Sequence, residues 1–401
     1  MAQTTECVLP ARSPVLIVGA GLAGYSVAKE LRQQAPELRI CLLSADEADF
    51  YSKPSLSNAF AQGRDVGALV TATAEAMATR LGIEVRPFDA VQAIDAQAHV
   101  LHSSSGRHGY GALVLGLGAT PRSLASVGCE VDAGAQSRIF SVNGLGDYRR
   151  LRAALGGVTS VVVAGAGFVG LELADDLRGA GFEVTIVDVA EQAAPRFMPR
   201  AAATYLQAAM SASGIHWNLG VRITRIRAAG TKGVRVELDD GRALEADLMV
   251  SALGLVPRIE LARLAGLSTG RGVLVDEFLR CSAPDIHALG DCAEIRGELM
   301  PFVLPTLEQA RSVASTLCGR PRAFVPARYP LTLKTRSLPV VIFAPPSPPE
   351  HWVEREDSDG WHLECHDAGG RLVGAVLMGA AARMRLQVQR QLEATGEAAS
   401  S

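Results

Sequence analysis

The sequence predicts an α/β chain in which one strand–turn–helix unit is inserted within another and a small α+β domain follows. Three observations predict it: glycine-rich turns at Gly19 and Gly165, a short apolar run before each turn and a helical-period segment after it, and a Pro-rich, β-prone tail from Pro321. Forty glycines and 5% aromatics favour tightly turned α/β units over an all-β sandwich. A chain of 401 residues that is 48% hydrophobic can bury more than one core.

The first unit opens on Val15-Leu-Ile-Val18, a short β-rich run. Gly19-Ala20-Gly21-Leu22-Ala23-Gly24 then leads into Tyr25 to Gln34, where Val27, Ala28 and Leu31 recur at helical spacing. Gly19 permits a tight strand-to-helix turn, Gly21 lets the backbone approach a pyrophosphate, and Gly24 lets helix pack on strand, while the helix N–H groups face the anion. The next strand, Arg39 to Leu43, should end at an acid for the adenosine ribose; Ala45 stands where that acid is expected, and the role is assigned to Asp46, which follows it.

The second unit repeats the design. Val161-Val-Val-Ala-Gly165-Ala-Gly167-Phe-Val-Gly170 leads into a helix, Leu171 to Gly179, and the strand Glu183 to Val187 ends at Asp188, ~20 residues beyond the glycines as a ribose acid should be. An acid there repels a 2′-phosphate, so NADH is preferred over NADPH. Glu172, close behind Gly170, is placed in the first turn of this helix, where the dipole favours a carboxylate.

Two such fingerprints describe two Rossmann-like dinucleotide-binding domains. The first, residues 1–120 and 247–320, resumes after an insert, residues 121–246; the tail, residues 321–401, forms the small third domain. Leu113 to Gly118 and Leu248 to Gly254 are apolar strands that end in Gly/Pro turns, with Gly118 and Gly254 at the turns. Asp285 to Gly319 returns to the first domain and includes Gly290-Asp291 at a strand end and Thr306 as N-cap of a helix, Leu307 to Leu317. In the tail, Leu331 to Leu333 and Val340 to Phe343 read as strands, Ala344 to Pro349 as a loop, Trp352 to Met378 as hairpins, and residues after Thr395 as a frayed end.

Charge and cysteine content exclude several function classes. A net charge of −3 offers no field for nucleic acid. Met1 to Pro14 lacks a basic start and an apolar core, and no run reaches the ~18–20 apolar residues of a membrane span, so a soluble cytoplasmic protein is expected. Cys7, Cys41, Cys129, Cys281, Cys292, Cys318 and Cys365 form no CxxC pair; only Cys365 has histidines nearby, His362 and His366, and no metal site is expected. Tyr25 to Arg32 and Tyr51 to Phe60 contain no cysteine, so no reactive thiol is expected behind the first glycine turn.

Ile286-His-Ala-Leu-Gly290-Asp291, together with the two Gly/Pro strand ends, resembles the two-dinucleotide flavoprotein reductases. Closer still, Tyr51-Ser-Lys53-Pro54-Ser-Leu56-Ser57, Ala288 to Glu294 with Pro301-Phe-Val303, and Leu331-Thr-Leu-Lys334-Thr335 resemble the rubredoxin and flavorubredoxin reductases from about Val15 to about Leu338. Related ferredoxin reductases carry arginine where Lys53 stands and lysine where Asn58 stands. The resemblance implies FAD and NADH as cofactors, Asp291 on the ribityl chain, and Lys53, Val91, Glu172, Val303 and Lys334 joining Gly19 to Gly24 around FAD. It implies hydride transfer from nicotinamide to flavin, with Lys53 and Glu172 shaping the electrostatics, and then single-electron transfer to rubredoxin or a similar small iron–sulfur carrier. A ferredoxin reductase of an oxygenase chain, or a flavin redox sensor without turnover, would keep the same fingerprints. Gln309 to Pro349 holds Arg311, Arg320, Arg322, Arg328, Lys334 and Arg336 and no carboxylate, a basic surface expected to steer an acidic carrier.

Overall fold

The computed structural model describes residues 13–230, 233–283, 285–346, 351–358 and 360–397. The chain divides into two compact units: Met1–Ser52 with Gly67–Thr120 and Leu255–Ala327, and Lys53–Val66 with Pro121–Gly254 and Arg328–Ser401.

The first unit is built on a five-stranded sheet in the order Ile286–Ala288, Ala112–Leu115, Val15–Val18, Ile40–Leu43, Glu84–Arg86, parallel throughout. Four of these strands are unbroken apolar or nearly apolar runs because both sheet faces are covered. Side chains alternate between the faces. Val15 and Ile17 enter a core with Tyr25, Val27, Ala28 and Leu31 of the helix Leu22–Gln34 and with Ala310, Val313 and Leu317 of the helix Val303–Leu317. Leu16 and Val18 enter a second core with Ile94 and Leu101, which belong to the three-stranded antiparallel sheet Val91–Asp95, Val100–Ser103, Gly106–Gly109.

The second unit contains another parallel five-stranded sheet, ordered Ile139–Phe140, Leu248–Ser251, Ser160–Ala164, Glu183–Asp188, Ile215–Leu219. This moves the expected boundary at residue 247, since Leu248–Ser251 pairs with Val161–Ala164 and completes the second sheet. Asp247 starts that strand: one carboxylate oxygen accepts from the backbone N–H and hydroxyl of both Thr159 and Ser160, at 2.8–3.1 Å. Those bonds, the Thr159 N–H foremost, hold its carboxyl down at about 2.

Lys53–Val66, expected within the first domain, also belongs to the second unit. Its backbone is hydrogen-bonded there: Phe60 and Ala61 donate to Asp176, and the Arg64 carbonyl accepts from Tyr148.

The tail forms its own antiparallel sheet, ordered Leu331–Leu333, Val340–Phe343, Leu372–Met378, Gly360–His366, His351–Asp357. Val341, Phe343, Ala375 and Leu377 pack with Val388 and Leu392 of the helix Arg385–Glu397. The expected strands and hairpins are therefore present, within the second unit. Tyr205 of the helix Arg200–Ala212 stacks on Trp361 at 4.6 Å and 7°. Part of the expected loop, residues 347–350, lies outside the described residues. The expected frayed end begins inside the helix Arg385–Glu397, and residues 398–401 are likewise outside.

Candidate functional site

Each parallel sheet carries one glycine loop, and the three glycines of each loop divide the same labour. Gly19 takes φ +109°, and a Cβ on it would lie 2.2 Å from the Gly116 carbonyl oxygen; one on Gly24 would lie 1.9 Å from the Gly19 carbonyl oxygen. Gly165 takes φ +110° with 2.4 Å to the Ala252 carbonyl oxygen, and Gly170 would come within 2.0 Å of the Gly165 carbonyl oxygen. The outer glycines are thus required by the fold itself. The middle ones, Gly21 and Gly167, have nothing within 4 Å of a built Cβ. Each caps its helix without a side-chain hydrogen bond. Open space at a helix N-terminus with no side-chain cap fits a dinucleotide pyrophosphate. Ala20 is buried and Leu22 and Ala23 are half-buried in the first loop's turn.

The two acids differ. Asp188 ends its strand and accepts from the Ala166 N–H at 2.6 Å and the Ala190 N–H at 2.7 Å, so it is bonded directly to the second glycine loop. Asp46 accepts from the Ser44 hydroxyl at 2.5 Å and the Ala48 N–H at 3.1 Å, both within its own turn. Gly19 donates to the Leu43 carbonyl and Gly165 to the Val187 carbonyl, both at 2.8 Å. The residue matching Asp188 is therefore Ser44, with Asp46 hydrogen-bonded to it. Counting from the last strand residue, rather than from an expected interval, would have found it.

In the first unit, Gly290 takes φ +74°, and its N–H donates to the buried Gln309 side chain at 2.8 Å. A Cβ on Gly290 would lie 3.2 Å from Ala23 and 3.7 Å from Thr306. The Gly290-Asp291 turn thus sits at the starts of two helices, Leu22–Gln34 and Val303–Leu317. Thr306 lies inside the second of these, its hydroxyl donating to the Phe302 carbonyl at 2.8 Å, and Phe302 is the cap residue. The expected cap was misplaced because Val303-Leu-Pro-Thr already turns helically, with Pro305 in the first turn where its missing N–H is harmless. Val303 is 40% exposed at the helix start. Val91 opens its strand and packs half-buried against the second core of this unit. Gly118 and Gly254 take φ +67° and +92°; their carbonyls accept from Arg258 and Arg122 respectively, at 3.0 and 2.9 Å.

In the second unit, Glu172 is bonded to the two segments that carry Lys53 and Lys334. Glu172, 8% exposed, accepts from the Ser57 hydroxyl at 2.5 Å and from the Lys334 N–H at 2.9 Å. Burial pushes its carboxyl up, opposed by the Ser57 bond, the Lys334 N–H and the Lys334 charge. It is the fifth residue of the helix Phe168–Gly179, whose first turn holds no acid. The expected first-turn position is therefore corrected, and the dipole, which fades beyond that turn, does not account for Glu172. The Lys53 ammonium donates to Asn143 at 3.3 Å; both lysine side chains are exposed. Ser57, Asp175 and Asp176, all part of this cluster, carry no signal in a local reading, since their partners are far away in sequence.

Residues 13–313 match the family described as pyridine nucleotide-disulphide oxidoreductase. The chain belongs to that family. Residues 327–392 match a second family, described as rubredoxin binding C-terminal domain. A rubredoxin-NAD(+) reductase of Alcanivorax borkumensis is 36% identical over 95% of this chain and 99% of its own length. A nitric oxide reductase FlRd-NAD(+) reductase of Aeromonas salmonicida is 33% identical over 94% of this chain and 96% of its own. Among solved structures, a ferredoxin reductase of Rhodopseudomonas palustris superposes with a TM-score of 0.83 at 33% identity, covering 91% of each chain. A covalent putidaredoxin reductase–putidaredoxin complex superposes at 0.85 with 26% identity, covering 96% of this chain and 94% of that one.

The disulphide in this oxidoreductase family's description raises the question of a thiol relay. The six described cysteines are buried thiols, with no disulfide among them. Burial pushes the Cys41 thiol up to about 12 and the Cys129 and Cys292 thiols up to about 11, the reverse of a reactive thiolate. The expected basic surface is also reduced. Glu308, one residue before the carboxylate-free segment, pairs with both Arg311 and Arg322, and Arg311 also faces Glu30 at 3.6 Å. Among the described residues, no helix is long and apolar enough to cross a membrane.

Proposed function

We propose that this chain is an FAD-containing NADH:rubredoxin reductase. The observation that carries the reading is a rubredoxin-binding type of C-terminal domain at residues 327–392 on a chain with two open glycine cradles at helix N-termini. Gly19 to Gly24, Gly290-Asp291 and the helix start at Val303 would hold FAD. Gly165 to Gly170 and Asp188 would hold NADH, whose ribose hydroxyls suit an acid and whose 2′-phosphorylated counterpart does not.

Bound FAD supplies the conversion of a two-electron donor into a one-electron donor, which a rubredoxin-type carrier needs. The chain's part is to bind, orient and set charge. Lys53 and Lys334 place two ammonium groups in the unit that carries the NADH cradle, where positive charge would favour the electron-rich transition state of hydride transfer. Glu172, its two oxygens already held by Ser57 and the Lys334 N–H, would present a fixed carboxylate between the segments that carry them. The buried, proton-retaining thiols support direct electron transfer to the carrier rather than a relay through a disulfide. The absence of a disulfide among the described cysteines and the use of NADH support a cytoplasmic setting.

A second reading, a reductase of ferredoxin-type carriers, is favoured by the superposition on a ferredoxin reductase and on a putidaredoxin reductase. The test is NADH oxidation against purified rubredoxin and a [2Fe–2S] ferredoxin side by side. Higher kcat/KM with rubredoxin is expected; the reverse order transfers the chain to the second reading. Slow turnover with both carriers and with an artificial acceptor would leave a flavin-bound sensor.

A further inference from the structure

Three carboxylates on one helix, Glu172, Asp175 and Asp176, are 8, 5 and 1% exposed. Burying three such groups is costly unless each is fully hydrogen-bonded. Glu172 bonds to both lysine-bearing segments, through Ser57 and the Lys334 N–H; the two aspartates divide them. Asp176 accepts from the Phe60 N–H at 2.7 Å and the Ala61 N–H at 3.0 Å. Asp175 accepts from the Arg336 N–H and from the Ser337 hydroxyl, the latter at 2.5 Å. One acid therefore grips the segment that carries Lys53, and the other grips the segment that carries Lys334. Phe60 is further held by its ring against Tyr148 at 4.7 Å.

We infer that Asp176 and Asp175 are positioning residues, each fixing one lysine of the hydride-transfer site on the helix that follows the NADH loop. Three features carry this. The acceptors meet backbone N–H groups, which fixes the path of the chain and not merely the packing of a side chain. The donors are few and specific, so a carboxylate displaced by one turn would lose them all. An apolar helix face would have closed the same contact at lower desolvation cost, so the polar choice selects one register over its neighbours. Burial pushes the Asp176 carboxyl up, the Ala61 and Phe60 N–H groups and Arg336 pull it down, and Asp175 raises it; the ionised form that grips both amides depends on keeping all these donors in place.

The inference rests on the reading of Lys53 and Lys334 as part of the transfer site, and two measurements separate it from that reading. In hydrogen exchange followed by mass spectrometry, Asp176→Asn should speed exchange at Phe60 and Ala61 by roughly 10-fold or more while residues 336 and 337 keep their protection, and Asp175→Asn should do the opposite. In double-mutant cycles read on the FAD dissociation constant and on the rate of flavin reduction by NADH, Asp176→Asn should couple to Lys53→Ala and add independently to Lys334→Ala; Asp175→Asn should show the mirror pattern. A merely structural role would lower the melting temperature and loosen both segments alike, with no selective coupling. Ala61→Pro, which removes one donor and keeps the acid, replaces Asp176→Asn if that variant does not fold, and Ser337→Ala replaces Asp175→Asn. A protein that holds no FAD overturns the proposed function. One that holds FAD but shows unselective exchange or additive cycles overturns this inference.

Discussion

The two glycine loops are nearly superimposable in logic and different in finish. Both use a positive-φ first glycine pressed on a neighbouring carbonyl, an open middle glycine and a third glycine seated on the first. They part at the next strand: the second loop is bonded to Asp188 through Ala166, whereas the first has Ser44 at that position and an Asp46 that serves its own turn. Backbone geometry is common to any dinucleotide. The acid is where one nucleotide is told from another.

The largest effect should come from breaking what the loops share. Gly24→Ala and Gly170→Ala each force a methyl group onto a backbone carbonyl and should cost about 3 kcal/mol or more in chemical denaturation. Gly21→Ala and Gly167→Ala meet open space and should leave the melting temperature near that of the parent. They should nevertheless weaken FAD and NADH respectively, by about 1–3 kcal/mol in titration, because the methyl group occupies the cradle. A Gly21→Ala protein that binds FAD normally would show that the open space is not the cradle.

The acids sharpen the contrast. Asp188→Ala should narrow the kcat/KM preference for NADH over NADPH by about 1–3 kcal/mol. Asp46→Ala should change FAD affinity by less, since its carboxylate serves Ser44 and Ala48. Equal losses from the two changes would restore Asp46 to the role first assigned from its spacing.

Glu172→Gln should retain the Ser57 and Lys334 bonds in part and remove the charge, slowing flavin reduction by roughly 10-fold. The raised carboxyl makes a pH test available. Its ionised form is disfavoured by folding, so the penalty is present above the folded pKa and relieved as pH falls through it. Stability of the parent relative to Glu172→Gln should therefore improve from neutral pH toward acid. Stopped-flow rates and melting curves from pH 7 down to pH 4 check both statements, and rates equal to those of the parent would leave Glu172 a structural acceptor.

The smallest effect concerns the strands beside the loops. Leu248–Ser251 is started by the Asp247 carboxylate, whereas Ala112–Leu115 follows a backbone bond from Gly111 to Pro14. Asp247→Asn should cost about 1 kcal/mol at pH 7 after allowance for solvent screening. The carboxyl is depressed to about 2, so the contribution is present above the ordinary carboxylate range, near pH 4, and lost as pH falls toward 2. A pH-independent difference would mean that the charge is not what holds the strand.

Much of the site was legible because its signals are local. Gly19 to Gly24 and Gly165 to Gly170 announce themselves within one turn of chain, and Asp188 closes a strand that its own residues define. The misplaced elements have non-local causes. Thr306 has the side chain of a cap, whereas the helix starts at Val303 behind Phe302, with no capping side chain to mark it. Leu248–Ser251 could have served either sheet, and only pairing with Val161–Ala164 assigns it to the second. Arg311 and Arg322 looked unopposed because Glu308 lay just outside the segment counted.

The sequence by itself determined that there are two dinucleotide folds, where their phosphate loops begin, and that a small β-rich domain follows; alternation, helical spacing and glycine demand are written residue by residue. Tertiary structure alone decided that Lys53–Val66 belongs with the second fold, that Ser44 and not Asp46 matches Asp188, and that Glu172, Asp175 and Asp176 grip two distant segments. The reason is physical: a carboxylate's partner can be any N–H that the fold delivers to it, and no local pattern in the chain records which one arrives.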